Sequence, residues 1–189
     1  MKTEFVISGL GGQGVLFLTR LISLTADIMN LPFIGSEVHG MSQRGGSVVS
    51  HLKIGNFSGP LVREGRAHIL FSLEESEAYR NLVFLRPEGK LYSIVSDENF
   101  PSLSVKNILE ENKISLFAID KKKVSQEFTS SLNLLLFGFY AGTDDKILRI
   151  EAIKEAIGRI GSGKVIEKNL ETFQKGIEYS HQLSALSSQ

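Results

Sequence analysis

A short apolar run, Phe5-Val6-Ile7, stops at a glycine cluster, Gly9, Gly11, Gly12 and Gly14, and a helical apolar periodicity starts straight after it. Phe17, Leu21, Leu24 and Ile28 recur at helical spacing, with Arg20 and Asp27 off that face. Strand, glycine turn and helix in that order confine the chain to a few α/β arrangements. Glycines let the turn close tightly and let other groups reach backbone N–H. The following helix adds roughly half a positive elementary charge at its N-terminus. The loop therefore suits a nucleotide pyrophosphate, another anion or a partner polypeptide, or it serves close strand–helix packing alone. A dinucleotide site also wants an acidic residue roughly 20 positions further on. Glu37 has about that separation but lies beyond Gly35-Ser36, inside a second glycine-rich stretch.

The rest of the sequence alternates strand and helix patterns. Asn30 ends the first helix, Pro32-Phe33-Ile34 reads as a brief strand, and 35–46 read as a polar, glycine-rich loop. Ser47 to Ile54 alternates as a strand. Ile69-Leu70-Phe71, Lys90 to Val95 and Ile114 to Ile119 read as further strands, separated by helices over 74–85 and near 105–111. From Lys122 onward the pattern is helical. Leu132 to Tyr140 is apolar nearly all round and therefore buried. The expectation is a three-layer, Rossmann-like α/β fold with a mostly parallel sheet and a helical C-terminal region. Residues 1–180 form the domain, and 181–189 are a flexible polar tail.

The second cluster gathers Glu37, His39, Gly40, Arg44, Gly45, Gly46, Ser50 and His51. Arg44 beside two glycines can clamp a carboxylate or phosphate, or can pair with Glu37 on a surface loop. His51 shares a strand face with Lys53 and is either a polar interface contact or a satisfied histidine. Formal charge is zero, with 21 basic and 21 acidic residues, so nothing steers the chain to nucleic acid or an anionic membrane surface. There is no cysteine, which excludes disulfides, a thiol nucleophile and thiolate ligation of a cluster on this chain. No histidine pair has metal-ligand spacing, no apolar run is long enough to span a bilayer, and the expected location is the cytoplasm.

Taken together, Gly9, Gly11, Gly12, Gln13, Gly14 and Val15, followed by Ser36 to His51, resemble the gamma-type subunit of 2-oxoacid:ferredoxin oxidoreductases. The run Glu37-Val38-His39-Gly40-Met41, then Gln43-Arg44-Gly45-Gly46, is most similar to the small (beta) subunit of the indolepyruvate type. Glu64, Gly65, Ala67 and Leu70, then Leu85, Arg86, Pro87 and Gly89, then Asn133, Leu134, Leu136 and Gly138, fit more loosely. The resemblance implies oxidative decarboxylation of an aryl 2-oxoacid to an acyl-CoA, with CoA as co-substrate and ferredoxin reduced through the complex. It implies that thiamine diphosphate, magnesium and [4Fe-4S] clusters sit on a large partner subunit, with no cofactor and no assigned catalytic residue here. On that reading Gly9, Gly11, Gly12, Gln13 and Gly14 face an anion or the partner. Glu37, His39, Gly40, Arg44, Gly45, Gly46, Ser50 and His51 lie near the active site or the interface. Two other classes remain: a free-standing nucleotide-binding (NAD or flavin) oxidoreductase or regulatory module, and an interaction module without catalysis. A homodimer of the isolated chain also stays open.

Other patterns carry less. Gly158, Gly163 and Lys164 match most of a phosphate-binding loop, but Val165 replaces the hydroxyl residue and a helix precedes the segment where a strand is required. Lys121-Lys122-Lys123 reads as a solvated connection, and Phe137, Phe139 and Tyr140 as core.

Overall fold

The computed structural model describes residues 2–39, 45–97, 99–124, 126–143 and 147–186. Strand β1 (Thr3–Leu10) is rich in β-branched and aromatic residues and is buried almost throughout, as a central strand must be. Helix α1 (Val15–Ile28) follows the glycine turn. It ends where Asn30 takes a left-handed conformation (φ 54°) and Leu31 N–H bonds back to the Ala26 carbonyl. Strand β2 (Phe33–His39) and strand β3 (Ser47–Ile54) then pair antiparallel. The later elements are β4 (Ala67–Ser72), α2 (Glu75–Asn81), a 3₁₀ turn (Leu82–Phe84), β5 (Leu85–Val95), α3 (Leu103–Glu111) and β6 (Ser115–Asp120). Helices α4 (Leu132–Thr143), α5 (Ile150–Ile160) and α6 (Lys164–Leu186) complete the chain.

The strand order is β2-β3-β1-β4-β5-β6. β1, β4, β5 and β6 pair parallel, and β3 alone runs against its neighbours, so the sheet is mostly parallel. The two-residue period of each strand sorts its side chains between two cores. Phe5, Ile7, Ile69, Phe71, Tyr92 and Ile94 enter the larger core, with α1, α4, α5 and α6. Val6, Leu70 and Leu91 enter the smaller one, with Ala78 of α2 and Val62. Phe71 sits at the centre of an aromatic group, 5.5 Å from Tyr92 and 5.3 Å from Tyr140 between ring centroids. Phe137, Phe139 and Tyr140 are thus core, as their all-round apolar helix predicts.

Four sequence expectations need correction. Gly35 to His39 belong to β2, not to a loop. The antiparallel ladder runs from Phe33↔Ile54 to His39↔Val48, and backbone pairing with β3 holds this edge segment extended despite its polar side chains. The helix expected over 74–85 is a short α2 and a 3₁₀ turn, and Leu85 already pairs with Ala67 in the sheet. Strand β5 also includes Pro87, Glu88 and Gly89, with a register irregularity opposite Ala67 and Ile69. Helix α6 continues to Leu186, so the backbone of 181–186 is helical rather than frayed. Among the described residues no helix is long and apolar enough to cross a membrane.

Candidate functional site

The chain leaves β1 for β2 toward one sheet edge and leaves β4 for β5 and β6 toward the other. The crevice between the carboxyl ends of β1 and β4 is the switch point where ligands of open α/β sheets bind. Both glycine clusters come to this end. Gly9 is still within β1, opposite Val48, and the turn proper spans Gly11 to Gly14. Gly14 (φ 87°) starts α1 in the left-handed region, and a side chain there would strike the Asn133 amide of α4.

Three N–H donors of the loop are engaged within the chain. Leu10 N–H bonds to the Gln13 side-chain oxygen at 2.7 Å, Gly11 N–H to the Gly46 carbonyl at 2.9 Å, and Gln13 N–H to the Leu10 carbonyl at 3.0 Å. The Gly11–Gly46 bond ties the first cluster directly to the second. Gln13 Nε2 donates to a Glu74 carboxylate oxygen at 3.0 Å, which puts a negative charge beside the turn. Ser8 and Ser72 join the same crevice with hydroxyls 3.3 Å apart, and Leu73 N–H closes it on the Ser8 carbonyl at 2.8 Å.

Three carboxylates at the start of α2, absent from the sequence reading, organise this end. Glu74 holds Gln13. Glu75 accepts from Ser96 N–H at 2.8 Å and Asp97 N–H at 2.9 Å, fixing the chain as it leaves β5. Glu77 is fully buried, accepts the Ser47 hydroxyl at 2.6 Å and pairs with Arg80 at 2.8 Å, so it holds the first residue of β3 just past the second cluster. The acidic run Glu74-Glu75-x-Glu77 directly after a strand was the available signal, since carboxylates gather in the first turn of a helix.

The other candidates separate. Glu37 is exposed in β2 and lines a groove of about 440 Å³ with Thr19 and Arg20 of α1 and with Phe33. Ser50 faces the same side, opposite Ile7 and Glu37, and is fully buried, with no partner for its hydroxyl among the described residues. His51 points to the other face. Its Nδ1 accepts Val62 N–H at 3.2 Å and its ring lies edge-on to Phe84 at 5.1 Å. Burial, and then Lys53, lowers its pKa below the ordinary value, as expected of a neutral core histidine. His39 lies at the end of β2, and Gly45 (φ 72°) and Gly46 follow, but Gly40 and Arg44 fall outside the described residues. The segment after Gly158 joins α5 to α6 without a strand, which removes the phosphate-loop resemblance. Among the described residues no group of three His, Asp or Glu side chains could hold a metal.

This fold and its joined loops define a doubly wound α/β protein whose distinctive surface lies at the carboxyl end of β1 and β4. The chain belongs to the pyruvate ferredoxin/flavodoxin oxidoreductase family, whose pattern matches residues 4–179. It is 31% identical to the indolepyruvate oxidoreductase subunit IorB of Thermococcus kodakarensis, covering 97% of this chain and 98% of that one. Against the IorB subunit of Archaeoglobus fulgidus the identity is 29%, over 93% of this chain and 94% of that one. The gamma subunit of a keto/oxoacid ferredoxin oxidoreductase from Geobacter sulfurreducens has the same fold, with TM-score 0.70, 18% identity, and 95% and 99% of the two chains covered.

Proposed function

We propose that this chain is the cofactor-free small subunit of a cytoplasmic 2-oxoacid:ferredoxin oxidoreductase acting on indolepyruvate and related aryl pyruvates. Near full-length similarity to IorB subunits supports the substrate class. One structural observation supports the subunit role over a free-standing nucleotide enzyme. The Leu10, Gly11 and Gln13 N–H groups are bonded within the chain, and the Glu74 carboxylate lies against the loop. A pyrophosphate bound through these three donors would have to displace their bonds, with the Glu74 carboxylate close by. A preformed loop of this kind suits the surface of another subunit. The smaller-core side also leaves Leu61, Tyr79 and Val83 exposed, which a partner can cover.

On this reading the large partner carries thiamine diphosphate, magnesium and the iron–sulfur clusters, and supplies the decarboxylation chemistry. A chain with no cysteine offers no thiolate to a cluster. The 2-oxoacid loses carbon dioxide, its acyl group passes to the CoA thiol, and the electron pair leaves to ferredoxin. This chain contributes the joined loops, with Glu37 and Arg44 orienting the second one toward the 2-oxoacid or CoA path.

An anaerobic affinity purification of the chain from its native lysate tests the assignment. We expect a brown complex with a large cysteine-rich partner that reduces ferredoxin on addition of indolepyruvate and CoA. A colourless chain recovered alone, binding NAD or flavin, would reverse it. In the assembled complex, Arg44→Ala should alter the kinetic constants for the 2-oxoacid or CoA. Unchanged constants for both would remove Arg44 from the site.

A further inference from the structure

At the opposite end of the sheet from the glycine loops, a pocket of about 210 Å³ opens among Lys2, Glu4, Phe57, Arg66, His68 and Arg86. Lys2 and Glu4 stand at the amino end of β1, Arg66 and His68 at that of β4, and Arg86 at that of β5. We propose that this pocket binds a phosphate-class dianion, through Arg66, Arg86, Lys2 and the Nε2–H of His68.

The donor inventory carries the inference. His68 Nδ1 accepts the Glu4 N–H at 3.1 Å, so the neutral ring must carry its proton on Nε2 and is a donor on its other side. The Glu4 carboxylate, the one acidic group on the pocket wall, is engaged by Lys53 at 2.9 Å, its cross-strand neighbour. Among the described residues Arg86 bonds through its Nε alone, on the adjacent Pro87 carbonyl at 3.3 Å, and its terminal nitrogens have no partner there. Among the described residues neither Arg66 nor Arg86 has a carboxylate partner, and Lys2 lies over the Phe57 ring, 5.1 Å from its centroid. Apart from the Glu4 carboxylate, which Lys53 holds, the pocket presents two guanidiniums, an ammonium and an imidazole N–H, all donors, in a chain whose formal charge is zero. Such a wall is complementary to a ligand that only accepts, and paired guanidiniums match the oxygens of a phosphate. Burial, then Arg86, lowers the His68 pKa, against an opposing effect of Glu4. A bound dianion would reverse part of that shift.

Free phosphate and a phosphate ester share this chemistry, so both serve as probes. The chain is titrated at neutral pH with inorganic phosphate and separately with adenosine monophosphate, while side-chain NMR signals of His68, Arg66 and Arg86 are followed. Saturable shifts confined to this pocket are expected, with the His68 pKa rising on binding. Arg66→Gln and Arg86→Gln should each weaken binding about tenfold, the loss of one charge-assisted contact. Tighter binding of the ester identifies an ester ligand, and equal binding identifies the free anion. The proposal fails if the shifts do not saturate, if matched sodium chloride reproduces them, or if neither substitution changes the affinity. It also fails if the complex with the large subunit no longer responds to phosphate, because the cations then serve the partner's carboxylates.

Discussion

Glu77 shows how one residue sets the position of a functional loop from beneath it. Its carboxylate is fully buried, yet Arg80, its ion-pair partner, keeps 66% of its side chain exposed. The two partners should therefore respond unequally to removal. Glu77→Ala leaves the Ser47 hydroxyl without its acceptor and removes the carboxylate paired with Arg80, and should lower stability by about 3 kcal/mol, the scale for breaking a buried charged contact. Arg80→Ala should cost less, because the Glu77 carboxylate keeps the Ser47 hydroxyl and the Asn81 amide as donors. Urea denaturation of both variants measures the difference, and equal losses would show that Glu77 does not hold the start of β3. Gln13 is a second case. The sequence places it inside a glycine motif as if it were a spacer, but its amide closes the turn on one side and reaches Glu74 on the other. Motif spacing marks the glycines because their backbone requirement is local. It cannot reveal a side chain whose partner lies 61 residues away.

At the scale of elements, the all-round apolar helix α4 was legible because every face of it is covered. The contact between α4 and α6 was not. Gly138 and Gly142 of α4 face α6, and a Cβ on Gly138 would collide with the Phe173 carbonyl, just as one on Gly176 would collide with that of Leu135. Backbone against backbone leaves no flexible side chain to yield. Gly138→Ala and Gly176→Ala should each destabilise the chain by about 1–3 kcal/mol. Thermal unfolding should show drops of about 2–4 °C per kcal/mol. Gly158→Ala, which meets open space, is the control and should leave the transition in place or raise it. The edge hairpin β2–β3 was half legible. Alternation of Val48, Ser50 and Leu52 with Val49, His51 and Lys53 identified β3, but the glycine, serine and glutamate of β2 concealed a strand that its partner's ladder imposes.

For the whole molecule, pH is the lever that the two lowered histidines predict. His51 and His68 both lie beside the smaller core, held neutral by burial first and then by nearby cations. Each has a folded-state pKa below its ordinary value of 6.5, so the unfolded chain binds protons more readily. Their contribution to stability is complete above 6.5 and is lost as pH falls below it toward the folded-state values. Protonated His51 could no longer accept the Val62 N–H. The free energy of unfolding should therefore fall between neutral pH and pH about 5, and the fall should be smaller in His51→Asn, which keeps an acceptor but does not titrate. Urea midpoints at the two pH values decide it, and an unchanged difference would clear His51 of the effect.

By itself the sequence determined the alternation of strands and helices, the burial of α4, the glycine turn that opens α1 and the family resemblance, because each is written in neighbouring residues or in a local period. Tertiary structure alone decided that the two glycine clusters are bonded to each other, that α2 carboxylates position both, and that Arg66, Arg86 and His68 surround one pocket. Those groups meet because parallel strands bring their like ends together across long stretches of chain, and a side chain's donors and acceptors are assigned only once its distant neighbours are in place.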